Sequence, residues 1–250
     1  MRVKKSILAT ASVLALGLIT TANAADLSVD GRTVAPALTG PAQVFSWTGC
    51  FVGAHVGYGL ATKDWHGTSS SGYLTSSMHP DGVMGGGQVG CDYQFPSSNW
   101  VVGIQGSISA AGLNGSAVDG YSSPAYTDTS KVNALGSVTG RIGWTWTRQN
   151  ILYARGGLAW ASDTYNNNYY GPGGESATAN RIGWILGLGS EWAFARDWSF
   201  FAEYDHYDFG STKLVFTDTY VSSIAQKVNA FTVGINYHFG MGTGAGSARY

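Results

Sequence analysis

The chain repeats a two-residue alternation along most of its length. In residues 228–239 the apolar set is Phe231, Val233, Ile235, Tyr237 and Phe239, and it alternates with Ala230, Thr232, Gly234, Asn236 and His238. A period of two places the two sets on opposite faces of a β-strand. Elsewhere the polar set carries charge, which inverts the pattern of a soluble sheet. A barrel in lipid keeps its apolar face outward and its polar face in the lumen.

Eight segments show this alternation, and their spacing predicts a topology. We predict strands at about 47–59, 83–95, 100–112, 131–146, 151–161, 180–194, 198–209 and 228–239. Short turns at 96–99, 148–150 and 195–197 alternate with long polar segments at 60–82, 113–130, 162–179 and 210–227. Short periplasmic turns and long external loops are typical of outer-membrane barrels. The sequence therefore predicts an all-β fold: an eight-stranded antiparallel transmembrane β-barrel with up-and-down topology and four long external loops.

The N-terminal region indicates export. Arg2, Lys4 and Lys5 precede an apolar stretch at 7–19, and residues 22–24 have the small-x-small form of a cleavage site. The apolar stretch is short for a membrane-spanning helix, which favours a cleaved signal peptide over an uncleaved anchor. We predict a signal peptide at 1–24, a periplasmic segment at 25–45, the barrel at 46–240 and a C-terminal tail at 241–250. The predicted location is the cell outer membrane.

The composition supports a membrane barrel over a soluble one. Hydrophobic residues make up 44% of the chain, charged residues only 12% and aromatic residues 13%, which suits two aromatic girdles. A soluble lipocalin-like barrel or sandwich would bury its apolar face, yet an eight-stranded interior holds only packed side chains or one ligand. The formal net charge of −1 offers no basic footprint for nucleic acid.

Charged residues on the predicted lumen face form the main candidate site. They are Asp92, Arg141, Arg155, Glu191, Glu203 and Asp205. Because isolated burial of charge is costly, these groups must form ion pairs or hydrogen bonds. We expect an ion-pair network that plugs the lumen and sets strand register. Two alternatives stay open: some of the charges lie at a wet mouth, or they line a narrow pore.

The two cysteines, Cys50 and Cys91, fall on the same face of adjacent predicted strands. Pairing them centres the hairpin near residues 70–71, inside the first predicted loop. An even pair of cysteines in an exported protein is a candidate disulfide. The alternative is two lipid-facing thiols that act as small apolar residues.

Several motifs are shared with one family. They are WTGCFVGAHVGYG at 47–59, GRIG at 140–143 with LYARGGLA at 152–159, GLGSEW at 187–192, Glu203-Tyr204, and Thr232-x-Gly234-x-x-Tyr237-x-Phe239. This set resembles the small porin-like outer-membrane proteins of alpha-proteobacteria, with their outer-membrane protein β-barrel domain. The last motif resembles the signal read by the barrel-assembly machinery. The chain departs from the family at Cys50, where an aromatic residue is usual, and by continuing past Phe239.

The resemblance and the residues together predict a non-catalytic protein that supports envelope integrity and surface exposure, with weak porin activity left open. The implied partners are the barrel-assembly machinery during biogenesis, outer-membrane lipid and lipopolysaccharide. Candidate contacts to lipopolysaccharide phosphates are Lys63, Lys131, Arg181, Lys213 and Lys227. The oligomeric state stays open.

A ligand-binding surface protein is the first alternative. Some members of the resembled family bind haemin, which makes His66, His79 and the loop tyrosines Tyr73, Tyr121 and Tyr126 candidates. Solvated loop residues are the simpler interpretation. The histidines lack metal-binding spacing and no HExxH or CxxC motif occurs, so we predict no metal site and no cofactor.

A barrel enzyme that modifies lipid A is the second alternative. Such deacylases use a Ser/His pair with an acid on the outer face of the barrel, and His206 lies close in sequence to Glu203 and Asp205. Alternation places His206 outward and both acids inward, which breaks the hydrogen-bonded chain that activates a nucleophile. We therefore predict no catalytic residues. The run of glycines at 85–87 lacks the context of a phosphate-binding loop and is interpreted as a curvature device.

Overall fold

The structure is a computed structural model that describes residues 45–69, 72–118, 127–166, 176–216 and 220–239. These ranges contain nine strands: β1 (Gly49–Ser69), β2 (Gly72–Met78), β3 (Asp81–Gln94), β4 (Trp100–Val118), β5 (Thr127–Thr147), β6 (Asn150–Asn166), β7 (Ser176–Ala193), β8 (Trp198–Phe216) and β9 (Tyr220–Phe239). The predicted signal peptide, most of the predicted periplasmic segment and the predicted tail at 241–250 lie outside the described residues. No helix in the described ranges is long and apolar enough to cross a membrane.

The strands close into an antiparallel barrel. β1 pairs with β3, each strand from β3 to β8 pairs with the next, and β9 pairs back onto β1 from Cys50–Phe239 to Thr68–Val221. β2 continues the line of β3 because it pairs with the far end of β1, from Lys63–Met78 to Ser69–Gly72. Ala61 N donates to Pro80 O at 2.7 Å across the break between β2 and β3. The barrel therefore has eight strands, which confirms the predicted fold class.

The strands run further than the sequence indicates. β1, β4, β6 and β8 end at Ser69, Val118, Asn166 and Phe216, beyond their predicted ends at about 59, 112, 161 and 209. The described parts of the four long connections are thus arms of β-hairpins and not irregular loops. Both faces of these arms are largely polar, so they lose the hydrophobic alternation on which the prediction depends, while the backbone ladder continues.

Side chains in the membrane-spanning part follow the predicted alternation. The lipid-facing Val56, Leu158 and Ile182 are 64%, 66% and 79% exposed, whereas the lumen-facing Gln105 and Glu191 are 2% and 0% exposed. The barrel is therefore inside out relative to a soluble protein, with its polar groups in the interior.

Aromatic side chains form belts on the lipid-facing surface. Close to the short turns, Trp100 packs edge-on against Trp144 with ring centroids 5.0 Å apart, and Trp198 packs against Tyr237 at 5.1 Å. Tyr58, Trp160 and Trp184 are exposed further along their strands, toward the long hairpins. Aromatic belts of this kind mark the two interfaces of a membrane. The end with the short turns is the periplasmic end.

The wall requires glycine where neighbouring strands approach closely. Gly86 on β3 lies opposite His55 on β1 and Ser109 on β4. A Cβ at Gly86 would lie 1.9 Å from the carbonyl oxygen of Ile108, whereas a Cβ at the lipid-facing Gly140 would meet nothing within 4 Å. Packing of the wall therefore requires a glycine at position 86 but not at position 140.

We expect Gly86→Ala to lower the free energy of unfolding by about 1–3 kcal/mol, because the wall must shift to admit the methyl group. Gly140→Ala is the matched control and should stay within about 0.5 kcal/mol of the parent. Urea unfolding of the lipid-reconstituted protein, followed by tryptophan fluorescence, measures both. Equal stabilities would show that the wall has room at Gly86.

Candidate functional site

Arg141 lies at the centre of the lumen. Its Nε is 3.3 Å from Asp92 Oδ1 and its Nη2 donates to Glu191 Oε2 at 3.1 Å. The guanidinium also stacks on the ring of Tyr153, with its carbon 4.1 Å from the ring centroid. Because β3, β5 and β7 are not neighbours, one side chain joins strands on different sides of the barrel.

Glu191 accepts several further hydrogen bonds. Its Oε1 accepts from Asn236 Nδ2 at 2.8 Å, from His238 Nε2 at 3.1 Å and from the hydroxyl of Ser199. The carboxylate is fully buried. Charge-assisted hydrogen bonds of this number offset the cost of removing the group from water. Glu191 therefore connects β7 to β5, β8 and β9.

Arg155 binds a second pair of carboxylates. Its Nε and Nη2 donate to the two oxygens of Asp205 at 2.9 and 2.6 Å, and Nη2 lies 3.1 Å from Glu203 Oε2. Tyr153 donates to Glu203 Oε1 at 2.6 Å. The bidentate arrangement fixes the orientation of both partners. Arg155 thus joins β6 to β8 across the intervening β7.

Gln105 connects the two arginine groups. Its Oε1 accepts from Arg141 Nη1 at 3.3 Å, and its Nε2 donates to Glu203 Oε1 at 3.5 Å. The structure therefore brings all six sequence-predicted lumen charges into one set of contacts, and each residue is at most 6% exposed. We call Asp92, Gln105, Arg141, Arg155, Glu191, Glu203 and Asp205 the inner network.

A second charged cluster lies nearer the long hairpins and was missed in the sequence. Asp163 receives Lys63 Nζ at 3.3 Å and Arg181 Nε at 3.1 Å on its two oxygens. Lys63 also donates to Ser130 Oγ at 2.7 Å, and Arg181 donates to the carbonyl of Ile224 at 2.8 Å. We call Lys63, Asp163 and Arg181 the outer network.

The assignment of Lys63 and Arg181 to lipopolysaccharide contacts is therefore wrong. Both side chains are fully buried in the lumen. Lys63 was misassigned because β1 continues beyond its predicted end at about 59 and keeps its period of two. Arg181 lies inside its predicted strand at 180–194, on the lumen face. Counting in twos from Phe51 reaches Lys63, and counting back in twos from Glu191 reaches Arg181, so the signal was present in the sequence. Lys131 and Lys227 remain exposed, and the side chain of Lys213 lies outside those described.

An apolar layer separates the two networks. Along β6 the lumen-facing order is Arg155, Ala159, Ala161 and Asp163. The layer is completed from other strands by Ala61, Met84, Ala111, Leu113, Val132, Leu135, Ile185, Tyr207, Phe209, Val228 and Ala230, each at most 7% exposed. Apolar packing thus fills the lumen between two levels of paired charge.

The periplasmic end is closed by a further apolar group. Trp47, Val101, Ile151 and Tyr153 pack together, and Phe45 lies against them. Trp47 is 1% exposed, and its ring centroid lies 4.8 Å from that of Phe45. The residues just before β1 therefore seal the mouth below the inner network.

The cysteine pair lies in the wall. Cys50 on β1 is directly opposite Cys91 on β3, and their sulfurs are bonded at 2.06 Å. Cys91 is exposed on the lipid-facing surface, near the periplasmic end. A disulfide at this position links two strands that the backbone ladder already pairs.

The structure describes few of the other candidates. His79 is exposed, whereas the side chains of His66, Tyr73, Tyr121 and Tyr126 lie outside those described. His206 bonds through Nδ1 to Asn229 Oδ1 at 2.8 Å, while Glu203 and Asp205 are buried on the other face of β8. Among the described residues no group of three or more His, Cys, Asp or Glu could hold a metal ion.

An eight-stranded barrel with an apolar exterior, aromatic belts and a polar lumen is an outer-membrane protein. The chain belongs to a named family: the model of the outer membrane protein beta-barrel domain matches residues 11–239. The 31 kDa outer-membrane immunogenic protein of Brucella melitensis is 32% identical over 247 residues, covering 92% of this chain and 98% of that protein. The predicted family and the outer-membrane location are confirmed.

Solved structures with a similar fold are more distant. The attachment invasion locus protein Ail of Yersinia pestis is 16% identical, with 77% of this chain and 100% of that chain covered and a TM-score of 0.39. Neisserial surface protein A is 15% identical, with 77% and 98% covered and a TM-score of 0.43.

We expect Arg141→Leu to lower the free energy of unfolding by about 3–5 kcal/mol, because it leaves Asp92 and Glu191 buried without their cation. Arg196 is the matched control. Its side chain is 68% exposed, and its one ion-pair contact in the described residues, from Nε to Asp197 Oδ1, is long at 4.0 Å. Arg196→Leu should change stability by less than about 0.5 kcal/mol. Denaturant unfolding in the same lipid measures both variants, and equal effects would argue against a structural network.

We propose that Cys50 and Cys91 are oxidised in the exported protein. Thiol titration of the denatured, unreduced protein should then detect no free thiol. The bond closes a segment with a sequence separation of 41. The double variant Cys50→Ser/Cys91→Ser should lose up to about 4 kcal/mol by the loop-entropy argument, and less if the closed barrel already restrains the segment. Two titratable thiols would show the lipid-facing dithiol instead.

Proposed function

We propose that this protein is a non-catalytic, closed barrel that supports the integrity of the outer membrane and displays its long hairpins at the cell surface. The observation that carries the proposal is the filled lumen. The periplasmic seal, the inner network, the apolar layer and the outer network follow one another along the barrel axis.

Conduction would have to overcome each of these layers. An ion that entered the inner network would have to separate Arg141 or Arg155 from its buried carboxylates, which costs several kcal/mol for each buried charge left without its partner. Apart from the hydroxyl of Tyr207, the side chains of the apolar layer offer no polar group to replace the hydration shell of an ion, as in a hydrophobic gate. These contacts favour a plug over the narrow-pore alternative and argue against porin activity.

The same contacts support a mechanical role. The cross-lumen pairs join strands that are not neighbours, such as β5 to β7 through Arg141 and Glu191, and β6 to β8 through Arg155 and Asp205. A barrel braced in this way resists shear between strands. It also holds the hairpins beyond the membrane on a fixed base, which suits a protein exposed at the surface.

The orientation of His206 supports the non-catalytic part of the proposal. Its ring lies against Trp184 on the lipid-facing side, with centroids 5.7 Å apart, while Glu203 and Asp205 bind Arg155 in the lumen. A carboxylate already held by an arginine on the opposite face of a strand cannot orient this imidazole.

Deleting the gene in the native bacterium distinguishes a structural barrel from a porin, because the two predict opposite changes in the permeability of the outer membrane. Loss of a structural barrel should increase entry of a bulky apolar dye and sensitivity to detergent. Loss of a porin should instead slow uptake of small polar solutes. Complementation with the parent should restore the barrier, and slower solute uptake without leakage would overturn the proposal.

Planar-bilayer recording of the refolded mature protein supplies the matching in vitro control. The proposal expects no reproducible conductance steps from a sample whose heat-modifiable migration shows that it is folded. Regular steps from such a sample would contradict the closed lumen.

A further inference from the structure

The lipid-facing wall carries an open trough in its outer half. The trough has a volume of about 920 Å³ and crosses β9, β1, β3 and β4. Its lining includes Val56, Tyr58, Val83 and Phe231 on β1, β3 and β9, beside a floor of small residues, Gly85, Ala110 and Gly112, on β3 and β4. We propose that this trough holds an acyl chain of a lipopolysaccharide molecule from the outer leaflet.

The floor is low because it lacks side chains. Gly85 and Ala110 face each other directly across β3 and β4. A Cβ at Gly85 would lie 3.4 Å from the carbonyl of His55, and one at Gly112 would lie 3.5 Å from that of Val83, which are ordinary contacts. Unlike Gly86, these two glycines are not imposed by the packing of the wall. Their small size is therefore available for contact with something outside the barrel.

The sides of the trough are apolar and exposed on the lipid-facing surface. Val56, Val83 and Phe231 are 64%, 69% and 55% exposed. Since lipid tails are as apolar as these side chains, binding depends on close packing and not on the hydrophobic effect. A channel with small residues below and branched or aromatic residues at its sides offers a chain contacts on three sides.

A polar group marks the outer end of the trough. The hydroxyl of Tyr58 donates to the carboxylate of Asp81, and Asn114 lies opposite Asp81 on β4. Asp81 and Asn114 are exposed. These acceptors suit the hydroxyl and amide N–H groups of an acylated sugar. Their position, away from the periplasmic turns, matches the head-group level of the outer leaflet.

The shape of the trough favours a chain over a second copy of the barrel. A two-fold dimer interface must be complementary to itself. Two concave surfaces brought face to face would enclose a void, whereas one flexible chain fills a single trough. An acyl chain also reaches the site without any rearrangement, because the site opens directly into the membrane.

Ala110→Leu tests the proposal, because it fills the floor from a position that already carries a Cβ. The matched control is Gly140→Leu, which introduces the same side chain at a lipid-facing site where a Cβ meets nothing within 4 Å. Refolded mature proteins are incubated with purified lipopolysaccharide and then examined by native mass spectrometry. We expect the parent and Gly140→Leu to keep a lipopolysaccharide adduct as detergent is raised, and Ala110→Leu to lose it.

Each other result would overturn the assignment. An equally stable adduct on Ala110→Leu would place the lipid elsewhere. A phospholipid adduct in an equal mixture of the two lipids, lost in Ala110→Leu, would replace lipopolysaccharide as the occupant. A protein dimer that Ala110→Leu dissociates would show a second barrel in the trough. Heat-modifiable migration confirms that both variants are folded, and Gly85→Leu provides an independent filling of the same floor.

Discussion

Pairing of charge inside a narrow lumen is the constraint on which this barrel depends. Arg141 and Arg155 hold four carboxylates within a space that admits little water, and every one of these side chains is almost fully buried. A carboxylate left there without a cation would destabilise the fold by several kcal/mol. The contacts also select register, because a slip of one residue on any strand would turn its charges toward lipid.

The exterior of such a barrel cannot act as a core, because lipid solvates apolar side chains as well as protein does. Specific packing therefore has to come from the interior. The apolar layer of Leu113, Leu135 and Ile185 supplies part of it, and the hydrogen bonds of His55 to Gln88 and Ser109 supply another part. Apolar and charged levels alternate along the axis, from the apolar group at the periplasmic end to the outer network, so the lumen resembles a small protein core.

The sequence predicts the barrel well because one face of each membrane strand must be apolar. That requirement places Arg141, Glu191 and Asp205 on the lumen face without any structural information. It ends where the membrane ends, so the hairpin arms, with Lys63 and Asp163, were assigned to loops. Arg181, at the start of its predicted strand, was interpreted as a lipopolysaccharide contact near the loops. Periodicity also says nothing about contacts across the lumen, and the partners of Arg155 on β8 follow only from the curvature of the closed barrel.

Buried side chains close the lumen at both ends of the barrel. Phe45 and Trp47 precede β1 and carry no alternation that a strand prediction could use. They fill the periplasmic mouth because their rings pack against His238 and because they join the apolar group of Tyr153. At the other end the strands keep pairing beyond the lipid and carry Lys63 and Arg181 inward onto Asp163. Because side chains of the strands, together with Phe45 and Trp47, fill the lumen, the described barrel offers other molecules its exterior wall and not its interior.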